Sequence, residues 1–184
     1  MMKSTTIFKK LTGSIILLSL LAILLFTFSS CGIYSLTEKV TAIPDTIKTI
    51  KITTFENRAP YQNPQLSPLL TDRLRQKIVN QTKLTNTNSD NSDWEIVGRI
   101  DDYSVTTTGV SATNGQTQAS INRLNVRVHI TLNRRKENKV EEYDVSRSFD
   151  FNATQTLQAA ETSLMDEMVR NLSDEIFNHL FSNW

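Results

Sequence analysis

Between Arg123 and Leu132 the sequence alternates without a fault, with Leu124, Val126, Val128, Ile130 and Leu132 set against Arg123, Asn125, Arg127, His129 and Thr131. Successive side chains of a strand point to opposite faces, so this segment has one dry and one wet face and commits the chain to a sheet covered on a single side. Upstream, Asn114-Gly115 is a two-residue hairpin signal, because both residues tolerate the positive φ of a type I′ turn. Closing the chain there sets Thr113 opposite Gln116, Val105 opposite Leu124 and Tyr103 opposite Val126. Carried further, the same register would face Ile100 with His129 and Ile96 with Asn133, apolar on polar. One extra residue at Asp101-Asp102 restores Ile100 to Val128, Gly98 to Ile130 and Ile96 to Leu132, so a β-bulge is predicted there.

A third long strand carries Tyr143, Val145, Phe149 and Phe151 on its inner parity and follows a turn near Glu137-Asn138. A first strand reads over Thr46 to Phe55, where Ile50 and Ile52 alternate with Thr49, Lys51 and Thr53. The turn-rich run from Asn57 to Pro64 leads to Ser67-Pro68, read as a helix start in which the Ser67 hydroxyl caps and Pro68 occupies the first turn. Leu66, Leu70, Leu74 and Ile78 share one face of that helix, which should end near Val79, and the polar stretch from Asn80 to Asp93 reads as a solvated loop. A long amphipathic helix is expected from Thr156 to Phe181, with Leu157, Ala160, Leu164, Met168, Leu172, Ile176 and Leu180 in one stripe widened by Met165, Val169 and Phe177. The predicted fold is α+β: a four-stranded mixed sheet covered on one face by two helices, in the order βαβββα, forming a single domain over residues 46–184.

Residues 1–30 have a different character. Lys3, Lys9 and Lys10 precede an apolar stretch from Ile15 to Phe26, and Ser29-Ser30 leads into Cys31, the pattern of a cleaved signal peptide. A transmembrane anchor is the rival reading, but Ser19, Thr27, Ser29 and Ser30 interrupt the run. The small-small-Cys ending resembles the lipobox of bacterial lipoproteins, with Phe28 where Leu is commonest. Cys31 is accordingly expected to be the lipidated first residue of the mature protein, with residues 31–45 as a tether. As the only cysteine it excludes a disulfide framework and a multi-cysteine zinc site.

Without the signal the chain keeps seventeen Lys and Arg against nineteen Asp and Glu, and no basic field points to nucleic acid. Catalytic chemistry is equally hard to assemble. His129 lies on the wet face of its strand, His179 sits near the end of the last helix, and neither has a second His or a Cys nearby in sequence. The glycines form no phosphate-cradling loop, and Asp101-Asp102 is accounted for by the bulge. No enzyme activity, metal or cofactor is expected.

The chain resembles the LptE-type lipopolysaccharide-assembly lipoproteins, particularly their Bacteroidetes form. The matching residues are Cys31-Gly32-Ile33-Tyr34-Ser35, Phe55-Glu56-Asn57-Arg58-Ala59, Asn63-Pro64, Val97-Gly98-Arg99-Ile100, Tyr103-Ser104-Val105, Asn122-Arg123-Leu124, and Ile176-Phe177-Asn178 with Trp184. The resemblance implies a lipid-anchored protein on the periplasmic side of the outer membrane, plugging a large β-barrel and helping to deliver lipopolysaccharide to the cell surface. The polar, largely uncharged stretches Thr106 to Ser120 and Asn80 to Ser92 would suit a wet barrel lumen. Arg123, Arg127, Arg134, Arg135, Lys136 and Lys139 are the candidate contacts to the anionic lipid, since guanidinium and ammonium groups match phosphate. No Lys or Arg lies between Tyr103 and Asn122, so no phosphate contact is expected at that hairpin tip. The alternative is a periplasmic regulatory lipoprotein that binds a cell-wall synthase or serves as an auxiliary subunit of a lipid transporter.

Overall fold

The computed structural model describes residues 43–113 and 116–181. The signal segment, Cys31, the tether as far as residue 42, the Asn114-Gly115 turn and Trp184 lie outside the described residues. The elements, in chain order, are β1 (Thr49–Ile52), β2 (Glu56–Asn57), α1 (Leu66–Gln81), β3 (Thr85–Asn86), β4 (Trp94–Thr113), β5 (Gln116–Arg134), β6 (Lys139–Asn152) and α2 (Leu157–Phe181). They form an α+β domain around one mixed sheet ordered β3-β1-β4-β5-β6, with β2 following β1 along the same edge of β4.

The sheet has six strands rather than four, and the chain order is ββαββββα. The two additional strands are two-residue pieces that hydrophobic patterning cannot register. β2 lies just past the expected end of the first strand, with Asn57 in the run read as a turn-rich connection, and β3 arises within the stretch read as a solvated loop. There Thr85 and Thr87 donate backbone bonds of 2.8 and 2.9 Å to Lys48 and Ile50 while Leu84 is buried. Both short strands run parallel to their neighbours, whereas β4, β5 and β6 form an antiparallel meander.

The predicted bulge is present. Ile96 pairs with Leu132, Gly98 with Ile130 and Ile100 with Val128, then the register jumps to Asp102 opposite Arg127. Two further shifts, at Thr107/Gly109 and at Gly109/Val110, lie nearer the hairpin end. The first inserts Thr108 into β4 and the second Ser120 into β5, so they cancel. That cancellation is why Thr113 still faces Gln116 and Val105 still faces Leu124.

Ile96, Ile100, Tyr103, Leu124, Val126, Val128, Ile130, Leu132, Val145 and Phe149 face the helices and are buried with Leu70, Leu74, Met168, Leu172, Ile176 and Phe177 in a continuous core. At about 25 cal/mol per Å², a buried Leu or Ile side chain contributes roughly 2 kcal/mol, which is what drives both helices onto the same face. The aromatic end of this core stacks Phe181 on Trp94, ring centroids 6.1 Å apart.

Ser67 does not cap α1. The N-cap residue is Gln65, and the Ser67 hydroxyl turns inward and donates to the carbonyl of Phe55. Thr71 completes the arrangement by accepting the Phe55 N–H at 3.0 Å. Phe55 is thereby fixed over Gly98, where a Cβ would overlap its ring. Gly98→Ala should therefore expel Phe55 and destabilise the fold by about 1–3 kcal/mol, measured as a lower denaturant midpoint at unchanged slope. Wild-type stability in this variant would show that the ring can move aside freely.

Candidate functional site

The strand parity that buries one face leaves the other open, and on it lie most of the charged residues of β4, β5 and β6. Arg123 grips Asp150 with Nε and Nη2 at 2.6 and 2.8 Å, Arg99 holds Asp101 at 2.5 and 3.0 Å, and His129 Nδ1 lies 2.9 Å from Asp144. These pairings hold the carboxyls of Asp150 and Asp101 below the usual carboxylate range, chiefly through their arginine hydrogen bonds. Arg127, opposite Asp102 and Ser146, makes no ion pair among the described residues. Uncharged side chains continue the ladder: Ser148 donates to Asn125 at 2.8 Å, and Asn125 to Thr106 at 3.2 Å.

At the other end of β5 a single 3-10 turn, Arg135–Glu137, joins it to β6, and Asn138 takes the left-handed conformation (φ 49°) that ends the turn. Arg134 lies over the Trp94 ring at 4.8 Å and pairs with Glu141 at 3.0 Å, while Lys139 reaches the same carboxylate at 2.5 Å. Arg135 pairs with Glu95 at 2.6 Å, and Lys136 with Asp93 at 2.7 Å. Burial pushes the carboxyls of Glu95 and Glu141 up, but the cations beside them outweigh it and leave both below the ordinary value. A shallow cavity of about 320 Å³ opens here between Arg134, Arg135, Asn138 and Lys139, and the buried Nε of Arg134 has no partner.

The six cations named from the sequence thus fall into two groups rather than one patch. Arg123 and Arg134 stand eleven residues apart on β5, roughly 35 Å at strand rise. Except at Arg127, each already has an acidic partner, so an incoming phosphate would have to compete with a carboxylate.

Two polar constellations escaped the sequence reading. Asp93, buried before β4, accepts the N–H groups of Lys48 and Thr49 at 2.7 and 3.0 Å besides the Lys136 ammonium, and so ties the start of β1 to the β5–β6 turn. Glu161, only 6 % exposed, accepts the Tyr103 hydroxyl at 2.8 Å and the Tyr61 hydroxyl at 3.3 Å. The available signal was a carboxylate between Leu157 and Met165 on an otherwise apolar helical stripe. No such signal marked Asp93.

No helix among the described residues is long and apolar enough to cross a membrane, and no group of three or more potential metal ligands occurs among them. No curated protein sequence matches this chain. Among solved structures, a minor lipoprotein from Acinetobacter baumannii is similar at 14% identity and TM-score 0.43, covering 74% of this chain and 98% of that one. The rare lipoprotein B from Shewanella oneidensis is similar at 18% identity and TM-score 0.41, covering 71% and 92%. A neuraminyllactose-binding hemagglutinin homologue from Helicobacter pylori reaches TM-score 0.50 at 8% identity, covering 74% and 83%, a likeness of fold alone. The family model described as LptE, lipopolysaccharide-assembly, matches residues 47–180, nearly the whole described domain, and the chain belongs to that family.

Proposed function

We propose that this protein is a non-enzymatic outer-membrane lipoprotein that plugs and supports a large β-barrel translocon and assists delivery of lipopolysaccharide to the cell surface. Within the lipopolysaccharide-assembly family to which the chain belongs, the observation that carries this reading is the uncovered sheet face. It is polar and nearly charge-compensated, pairing Arg123 with Asp150, Arg99 with Asp101 and His129 with Asp144. A barrel lumen is wet and lined with polar side chains, and a face built this way can be enclosed there with most of its charges paired, Arg127 being left to the water of the lumen.

Cys31 carries the acyl chains in this proposal, more than one being needed for stable anchoring. Gly32 follows it rather than Asp, and no acidic run comes after, a pattern that fits the periplasmic side of the outer membrane. Arg123, Arg127, Arg134, Arg135, Lys136 and Lys139 are the proposed contacts to lipid phosphates, of which Arg127 requires the least rearrangement of existing pairs.

Depletion of the protein should lower surface lipopolysaccharide and leave the partner barrel unstable. Pull-down from detergent-solubilised membrane should recover a large barrel. Normal barrel assembly on depletion, or recovery of a peptidoglycan synthase without a barrel, would overturn the proposal.

A further inference from the structure

β4 and β5 extend well past the rest of the sheet. On one side the last backbone bond from the β2 segment is Arg58 N–H to Ile100 at 2.9 Å, and on the other the last from β6 is Ala153 N–H to Ser120 at 3.2 Å. Beyond those points the hairpin is a two-stranded ribbon, and among the described residues the outer edge of β4 has no neighbouring strand from Asp101 to Thr113. No helix covers it either, since Val105, Val110 and Ile121 are 39, 66 and 41 % exposed. An isolated two-stranded hairpin is marginal in water.

The composition of this ribbon is unlike that of the other free edge. β6 carries Lys139, Glu141, Glu142, Asp144, Arg147 and Asp150, and Arg147 sits on the parity that faces the helices, where it pairs with Glu175. Charges along an edge, including inward-pointing ones, are what keeps a strand from pairing with another chain. From Tyr103 to Asn122 there is no charged residue of either sign. The β6 edge is guarded against strand addition by charge, and the ribbon edge of β4 is not.

We infer that the β4 edge of this ribbon is a strand-docking surface, and that its occupant is an extended, uncharged, hydroxyl- and amide-rich segment of the barrel protein that pairs with it main chain to main chain. The inference rests on the barrel reading proposed above. The match is one of charge as well as hydrogen bonding: a charged strand laid on this run would meet no counter-ion between Asp102 and Arg123. The extra residue Thr108 divides the β4 edge into two regular stretches, Asp102 to Thr107 and Gly109 to Thr113. Strand addition relies on such regular stretches for its backbone bonds.

Amide hydrogen exchange on the full-length lipoprotein, alone and in the barrel complex purified from membrane, tests this. Amides within residues 102–113 are expected to slow by about a hundredfold in the complex, with little change across Lys139–Asn152. Val110→Lys, a substitution at an exposed position, should leave thermal stability unchanged and reduce the barrel recovered by about tenfold, as an edge lysine does when it opposes pairing. Unchanged exchange of 102–113 in an intact complex would overturn the docking surface and leave the barrel reading standing. Absence of any barrel from the wild-type preparation would overturn both. Slowing that appears in the isolated chain as its concentration rises would assign the edge to a second copy and overturn the barrel segment as its occupant.

Discussion

Asp93→Ala is expected to lower the unfolding free energy by about 3 kcal/mol, because it removes one acceptor from two backbone N–H groups and from an ammonium in a site where water replaces it poorly. The groups left without an acceptor are the amides of Lys48 and Thr49, whereas the half-exposed Lys136 ammonium passes to water. Denaturant unfolding measures the loss. The pH dependence separates the carboxylate from mere packing. The Lys136 ammonium first, and then the Lys48 amide, hold the Asp93 carboxyl far below its ordinary value of 3.8. Its folded value is depressed, so its contribution is complete above the unfolded value and is withdrawn as pH falls toward the folded one. Between about pH 5 and pH 2 the wild type should lose stability more steeply than Asp93→Asn, which keeps an acceptor oxygen but cannot titrate. Coincident slopes for the two proteins would show that Asp93 is not the group responsible.

Glu161→Ala should cost a similar amount, about 3 kcal/mol, by leaving the buried Tyr103 hydroxyl without its acceptor and opening a void at the start of α2. Glu161→Gln, which preserves an acceptor, should cost about 1 kcal/mol. Replacing both partners, Tyr103→Phe with Glu161→Leu, should recover most of the loss, because the penalty lies in the unmatched polar group rather than in the missing bond. Burial, then the hydrogen bond to Glu161 and its charge, raises the Tyr103 phenol well above its ordinary value of 10.0. For a raised value the contribution is whole below the unfolded value and is lost above it. Wild-type stability should therefore fall from about pH 10 upward, and more steeply than that of Tyr103→Phe. A Tyr103→Phe protein with the same alkaline slope would sink this account.

The meander was legible because its signals are local and periodic. The run from Leu124 to Leu132 fixes its own dry face, and the mismatch of Ile100 with His129 in an unbroken register calls for the bulge at Asp101-Asp102. Both helices were legible for the same reason, with their apolar stripes from Leu66 to Ile78 and from Leu157 to Leu180. β2 and β3 were not, because two residues carry no period. Their existence depends on a neighbouring strand whose edge needs partners, as where Thr85 meets Lys48. Ser67 misled as a cap because a hydroxyl beside a proline signals a helix start equally well whether it bonds its own helix or the Phe55 carbonyl beneath.

The candidate contact residues divide in the same way. Sequence could name Arg123, Arg127, Arg134, Arg135, Lys136 and Lys139 by type, since a charge is visible in the chain. Which carboxylates neutralise Arg123, Arg135, Lys136 and Arg134 was not visible, because Asp150, Glu95, Asp93 and Glu141 reach them only across strands or through a turn. The sequence by itself determined which face of each long strand would be dry, where the meander had to slip its register, and which helical stripes would cover it, because these follow from side-chain alternation and spacing within one segment. Only the tertiary structure decided which cation meets which carboxylate, that Glu161 lies beneath two tyrosines, and that the β4–β5 ribbon outruns its neighbours. Those outcomes depend on where separate segments end relative to one another in space, and no local pattern encodes that.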